Sequence, residues 1–173
     1  MQLRPQELLT SIGLLILRLG IGGYLLTHGW GKVQMLINRQ FEMFGDPIGI
    51  GSQLSLILVV FAEFVCAILV MLGLMTRLAC VPVVVTMIVA ALVAHGKDPW
   101  TMQAAFELFM QGKSEFPVSK QPAMMFLFPF LAMIFTGPGR ISIDALLPFS
   151  IHSFLPAQRS AAGFEVLTDS PRS

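Results

Sequence analysis

Residues 54–95 read LSLILVVFAEFVCAILVMLGLMTRLACVPVVVTMIVAALVAH, an apolar run in which Glu63 and Arg77 are the only formally charged side chains. The hydrocarbon core of a bilayer is about 30 Å thick and takes roughly 20 residues of helix, so the run is long enough to cross twice. Thr76 and Arg77 break it near its middle, which predicts spans over 54–75 and 78–95 joined by a tight helical hairpin.

Two further apolar segments flank the hairpin, at about 8–28 and 122–137, the last being short and rich in Phe and Met. The sequence therefore predicts an all-α integral membrane four-helix bundle. Composition agrees: of 173 residues 55% are hydrophobic and 12% charged, and mean hydropathy is +0.76, outside the range of ordinary soluble domains. A formal net charge of +1 offers no basic surface to nucleic acid, so the expected environment is the lipid bilayer.

The first segment is not read as a cleaved signal, because Arg18 interrupts it and no small-x-small site follows before Trp30 and Lys32. Four crossings put both termini on one face, side A, and the two long loops on the other, side B. Trp30 and Trp100 are placed at the side B boundary. Between Trp100 and Gln111, Met102, Phe106, Phe109 and Met110 share an apolar face, which predicts a short amphipathic helix lying on the membrane or capping the bundle. Residues 1–150 form one expected domain, and 151–173, with Pro156 and Pro171 and no periodicity, an expected flexible tail.

Ionisable groups at membrane depth demand a reason, since each costs several kcal/mol without a partner or water. Arg18 lies about nine residues in from side A and Glu63 about nine in from side B, which at 1.5 Å per residue gives both a depth of roughly 13 Å. Two readings follow. They form a structural ion pair between helices one and two, or Glu63 is a protonatable group in a relay or transport path that Arg18 flanks. A second group gathers on side B: His28 and Lys32 are one helical turn apart, and His95 ends the third span. Neutral imidazole suits a quinone carbonyl and Lys32 a developing oxyanion, though a histidine before glycine is also an ordinary helix end.

No carboxylate or cysteine sits at ligand spacing beside either histidine, so no metal site is expected. Cys66 and Cys80 differ in depth by roughly 10 Å, too much for a disulfide. No nucleotide, flavin or haem motif appears in a supporting context, so no tightly bound cofactor is expected, and a diffusible quinone is a candidate ligand for the polar group. Beyond the fourth span, Gly137, Pro138 and Gly139 end the helix. Arg140 and Asp144 at i and i+4 can pair with each other or with the hairpin at Arg77, as a structural clamp on side A.

Four pieces in order, LRLGIGGYLLTHGWGKV (17–33), FGDPIG (44–49), AEFVCAILVMLGLMTRLA (62–79) and TGPGRISIDALL (136–147), resemble the DoxX family of four-helix bacterial membrane proteins. Arg18, His28, Lys32, Glu63, Arg77, His95, Gly137, Pro138, Gly139, Arg140 and Asp144 stand at positions matching that family's pattern. Many members carry a glutamate after the lysine preceding the fourth helix. Here Gln121 and Pro122 follow Lys120, so no role for that carboxylate transfers.

The resemblance implies a multi-pass protein of the bacterial cytoplasmic membrane with both termini in the cytoplasm. Basic residues balance across the two faces and do not decide orientation by themselves. It further implies a link to quinone-dependent redox metabolism or oxidative-stress complexes. On that reading the chain is a non-autonomous subunit of a quinone-linked oxidoreductase that borrows redox chemistry from a partner protein. A small proton-coupled or solute transporter using Arg18 and Glu63, and a non-catalytic membrane anchor, are the other classes. The sequence leaves oligomeric assembly open.

Overall fold

A computed structural model describes residues 5–146, and the tail expected over 151–173 lies outside them. The architecture is all-α. Helix α1 runs over Pro5–Ile37, α2 over Ser52–Leu72, α3 over Thr76–Ala94, α4 over Met102–Met110 and α5 over Gln121–Thr136, followed by a single turn, α6, at Ile143–Leu146. The helices α1, α2 and α3 are long and apolar enough to cross a membrane. With 16 residues α5 is shorter, about 24 Å at 1.5 Å per residue. It packs along α3, while α2 packs between α1 and α3, giving a four-helix bundle.

The core is built from Leu25, Cys66, Ala67, Val70, Cys80, Val83, Met87, Phe130 and Met133. The outward face is equally apolar: Leu9, Ile16, Val85, Leu92, Phe128 and Phe135 are all exposed. A helix hydrophobic all round belongs in lipid, where an outward leucine costs nothing. Cys66 and Cys80 are both free and buried. The amphipathic helix is α4, whose start is capped by the Thr101 hydroxyl accepting from Ala104 N–H at 3.3 Å, with Ala105 buried and Phe106 and Met110 exposed.

The α2–α3 hairpin closes as tightly as the short gap predicts. Gly73, at φ +70°, ends α2, with the N–H of Leu74 donating to Leu69 and that of Gly73 to Val70 in a Schellman arrangement. A side chain here would meet both the left-handed backbone and the guanidinium of Arg18.

The register of α1 differs from the sequence expectation. Val33, Met35, Leu36 and Ile37 prolong the helix nine residues past His28, until Arg39 turns the chain at φ 55°. Gly22 then meets Met71, and Gly29 meets Glu63. Trp30 consequently stacks near Phe64, at 5.9 Å, beside the middle of α2 and not at the end of the bundle.

Asp46 orders the loop between α1 and α2. One carboxylate oxygen accepts from Ile50 N–H at 3.1 Å and from the Ser55 hydroxyl at 2.9 Å, and the other from Gly51 N–H at 2.7 Å. These donors, Gly51 first, hold the Asp46 carboxyl below the usual carboxylate range. A value depressed by folding contributes stability that is complete above the unfolded value of about 3.9 and is lost as pH falls through the folded value. Acidification below about pH 4 is therefore expected to open this loop. Amide hydrogen exchange at Ile50 and Gly51 should show it as protection lost in that window, whereas Asp46→Ala should show no protection to lose at any pH.

Candidate functional site in the side B half of the bundle

Glu63 sits in a π-helical turn, Phe61–Val65, inside α2. Such a turn inserts an extra residue into the helix and re-aims the side chains around it. Gly29 of α1 packs directly on this turn. A Cβ at Gly29 would lie 2.8 Å from both the carbonyl carbon and oxygen of Glu63, so only glycine lets the two backbones come this close.

The same close approach delivers the partner of Glu63. Nζ of Lys32, one turn beyond Gly29, donates to both carboxylate oxygens at 2.5 Å each. The Glu63 side chain is 5% exposed and that of Lys32 27%. The expected Arg18–Glu63 ion pair is thus not formed. Arg18 lies against Gly73 at the side A hairpin, ten residues along α2 from Glu63, an axial separation of about 15 Å. The equal depths inferred from each helix alone fail because α1 is displaced along the bundle relative to its apolar run.

Glu63 lines a cavity of about 260 Å³ together with His28, His95, Phe126 and Ser119. The two polar groups that the sequence keeps separate, Glu63 at depth and the histidines on side B, therefore share one chamber. Lys32 is not in its lining and acts on it by neutralising Glu63. His28 packs edge-on to Phe126 at 5.5 Å and tilted to Tyr24 at 5.6 Å. The Nδ1 atom of His95 is 2.8 Å from Oδ2 of Asp98, and both residues are about one-third exposed. A second π-helical turn, Ala90–Ala94, immediately precedes His95 and contributes Ala90 to the wall.

The side B rim is stapled by Lys120. Its Nζ donates to the carbonyl of Gly96 at 2.9 Å and lies 4.6 Å above the Trp100 ring, while its N–H donates to Pro99 at 3.0 Å. Next to it, Ser119 is 4% exposed, and its hydroxyl is buried with no hydrogen-bond partner among the described residues. Sequence reading passes over Ser119, since an isolated serine in a loop carries no signal. The glycines at 22 and 29 are the traces that the close α1–α2 approach leaves in the sequence.

The side A residues form a separate structure. Arg18 is fully buried and its Nη2 donates to the carbonyl of Ile141, while Nε and Nη1 meet no partner among the described residues. Asp144 accepts from the N–H groups of Met75 at 2.7 Å and Thr76 at 3.1 Å, so it caps the hairpin. Arg77 donates to the carbonyl of Phe135 at 3.3 Å and lies over Gly137. Arg140 pairs with Glu7 at 3.3 Å, not with Asp144, and its N–H donates to the Ser11 hydroxyl. Gly139, at φ +78°, packs against Ser11 and Leu14, which turns the segment after Pro138 back onto α1. Arg140 and Asp144 fail to pair because the turn of α6 begins only at Ile143, so the i, i+4 geometry of a continuous helix is absent.

Among the described residues no group of three or more His, Cys, Asp or Glu side chains is placed to hold a metal ion. No curated protein and no solved structure matches the chain. A family model does, that of DoxX, over residues 13–96, a stretch that contains Arg18, His28, Lys32, Glu63, Arg77 and His95 and stops short of Ser119 and α5. Residues 13–96 thus form a DoxX domain, running from within the first helix through the end of the third, in a chain whose helices are those of a membrane protein.

Proposed function

We propose that the chain is a membrane subunit in quinone-linked redox metabolism and that the side B cavity receives the ring of a quinone. The observation that carries this reading is the shared lining: His28, His95 and Glu63 border one 260 Å³ space walled by Phe126. Pockets that enclose whole drug-sized ligands run from about 300 to 1,000 Å³, so this one suits a single ring and not a polyprenyl chain. With Lys32 on Glu63 the lining holds no net charge while the imidazoles are neutral, which favours a neutral ligand over an ion. A neutral imidazole can donate to a ring carbonyl.

Reduction of a quinone consumes two electrons and two protons. A redox partner protein supplies the electrons on this reading, and His95, held by the partly exposed Asp98, stands where protons from side B would enter. Side A, with both termini, faces the cytoplasm of a bacterial cell and side B the opposite compartment. A transport path flanked by Arg18 and Glu63 has less support, because the two lie in different halves of the bundle.

The test is purification in mild detergent followed by mass spectrometry of extracted quinones and co-purifying proteins. Wild type is expected to carry quinone above the level of the surrounding lipid, and His28→Ala to lose at least nine-tenths of that excess. Equal quinone in wild type, His28→Ala and an unrelated membrane protein would end the proposal.

A further inference from the structure

Helices α1 and α5 touch each other only briefly, in contrast to the long contact of α5 with α3. What fills their seam is a cluster of three rings: Tyr24 stacked on Phe126 at 5.9 Å, and His28 edge-on to Phe126 at 5.5 Å. Phe126 is 4% exposed and lines the cavity, whereas Tyr24 is 64% exposed and absent from the lining. His28 belongs to both sides, being an exposed residue that also borders the cavity.

The level of this cluster decides what lies outside it. Gly29 is opposite Glu63 and Gly22 opposite Met71, so His28 is level with the middle of α2 and Tyr24 lies about one turn nearer its side A end, still within the bundle. Phe126 is five residues into α5, about 8 Å from its side B end. At that depth an exposed side chain faces acyl chains, not water. Inside, the buried Ser119 hydroxyl offers a donor that no group among the described residues accepts, and a buried hydroxyl without a partner is unfavourable.

We infer that the cavity is loaded from the bilayer: a ring bearing a carbonyl enters sideways between α1 and α5, past Tyr24, His28 and Phe126, and Ser119 donates to its carbonyl oxygen. This rests on the quinone reading and adds the route, the tail and the inner anchor. The ligand class is accordingly a tailed quinone whose chain stays in lipid against the outer face of the seam. A membrane-dissolved molecule need never leave the bilayer, and only its ring is desolvated by protein.

The experiment uses the full chain in nanodiscs and a benzoquinone carrying a photoreactive diazirine on a ten-carbon tail, with saturable binding measured in parallel by equilibrium dialysis. Irradiation is expected to label α1 around Tyr24 and the outward residues of α5, with the adducts lost on addition of excess unlabelled decyl benzoquinone. Ser119→Ala is expected to weaken binding about five- to tenfold, the loss of one neutral hydrogen bond, with the tail adducts at the same positions.

Saturable binding with competed adducts confined to residues 97–101 and 112–118 would overturn the lateral route while leaving the quinone reading standing. Unchanged affinity in Ser119→Ala would remove the anchor. Absence of any saturable binding would overturn this inference together with the reading beneath it.

Discussion

Replacing Lys32 by methionine is expected to lower stability by about 3 kcal/mol, the lower part of the 3–5 kcal/mol seen when one partner of a buried ion pair is removed. Methionine keeps the aliphatic stem, so what disappears is the ammonium that both oxygens of Glu63 accept from. Glu63 is then a carboxylate with a 5% exposed side chain and no counter-charge. The loss stays at the lower end because Lys32 itself is 27% exposed, and part of the pair's field is already screened. Glu63→Gln should cost less than half as much, since the freed ammonium can extend along its stem towards side B.

The decisive variant carries both changes. Lys32→Met with Glu63→Gln has no buried charge left and should recover most of the loss, a coupling of about 3 kcal/mol. The readout is the midpoint of unfolding in mixed micelles of a mild detergent and dodecyl sulfate. A double variant as unstable as the sum of the two singles would mean that the two side chains do not act as a pair.

The hairpin of α2 and α3 was legible because a long apolar run carrying one buried acid, Glu63, and turned at Thr76 and Arg77 has few alternatives in a bilayer. So was α4, whose alternation of Phe and Met with polar residues has helical period. The sliding of α1 against α2 was not legible. An apolar run says that a helix enters lipid, but which residues of its neighbour it meets is set by packing, here by Gly29 seating on the turn that carries Glu63. That one displacement moved Glu63 away from Arg18 and onto Lys32.

The π-helical turns at Phe61–Val65 and Ala90–Ala94 leave no mark in the sequence either, since the residues are ordinary helix formers. The components of the cavity were therefore visible one by one, in His28, Glu63 and His95, while their convergence was not. Ser119 shows the other kind of gap: its interest lies wholly in being buried without a partner, a property that exists only after folding.

Arg18→Ala is expected to destabilise the side A half by about 3–5 kcal/mol, in the range for deleting a large, fully buried side chain. Arg18 ties three pieces of chain together: it belongs to α1, donates to the carbonyl of Ile141 after α5, and packs on Gly73 of the α2–α3 hairpin. Asp144, which caps Met75 and Thr76, loses the nearby positive charge at the same time. Arg18→Lys should recover little, because an ammonium on a flexible stem lacks the planar fork that reaches Ile141 from beside Gly73. The same geometry fixes a second-order result. In the wild type, Gly73→Ala drives a methyl group into the Arg18 guanidinium, which cannot withdraw from a fully buried position, and into Cβ of Ser142 at 2.6 Å, on a backbone held at φ +70°. In the Arg18→Ala background the first of these collisions is gone, so Gly73→Ala should cost only the backbone strain of about 1–3 kcal/mol plus a small shift of Ser142. The two changes together are therefore expected to cost less than their sum by at least 1 kcal/mol, as side chains in direct contact do. Strict additivity in the same micellar unfolding assay would place Arg18 away from the hairpin and break the link between α1 and the α2–α3 turn.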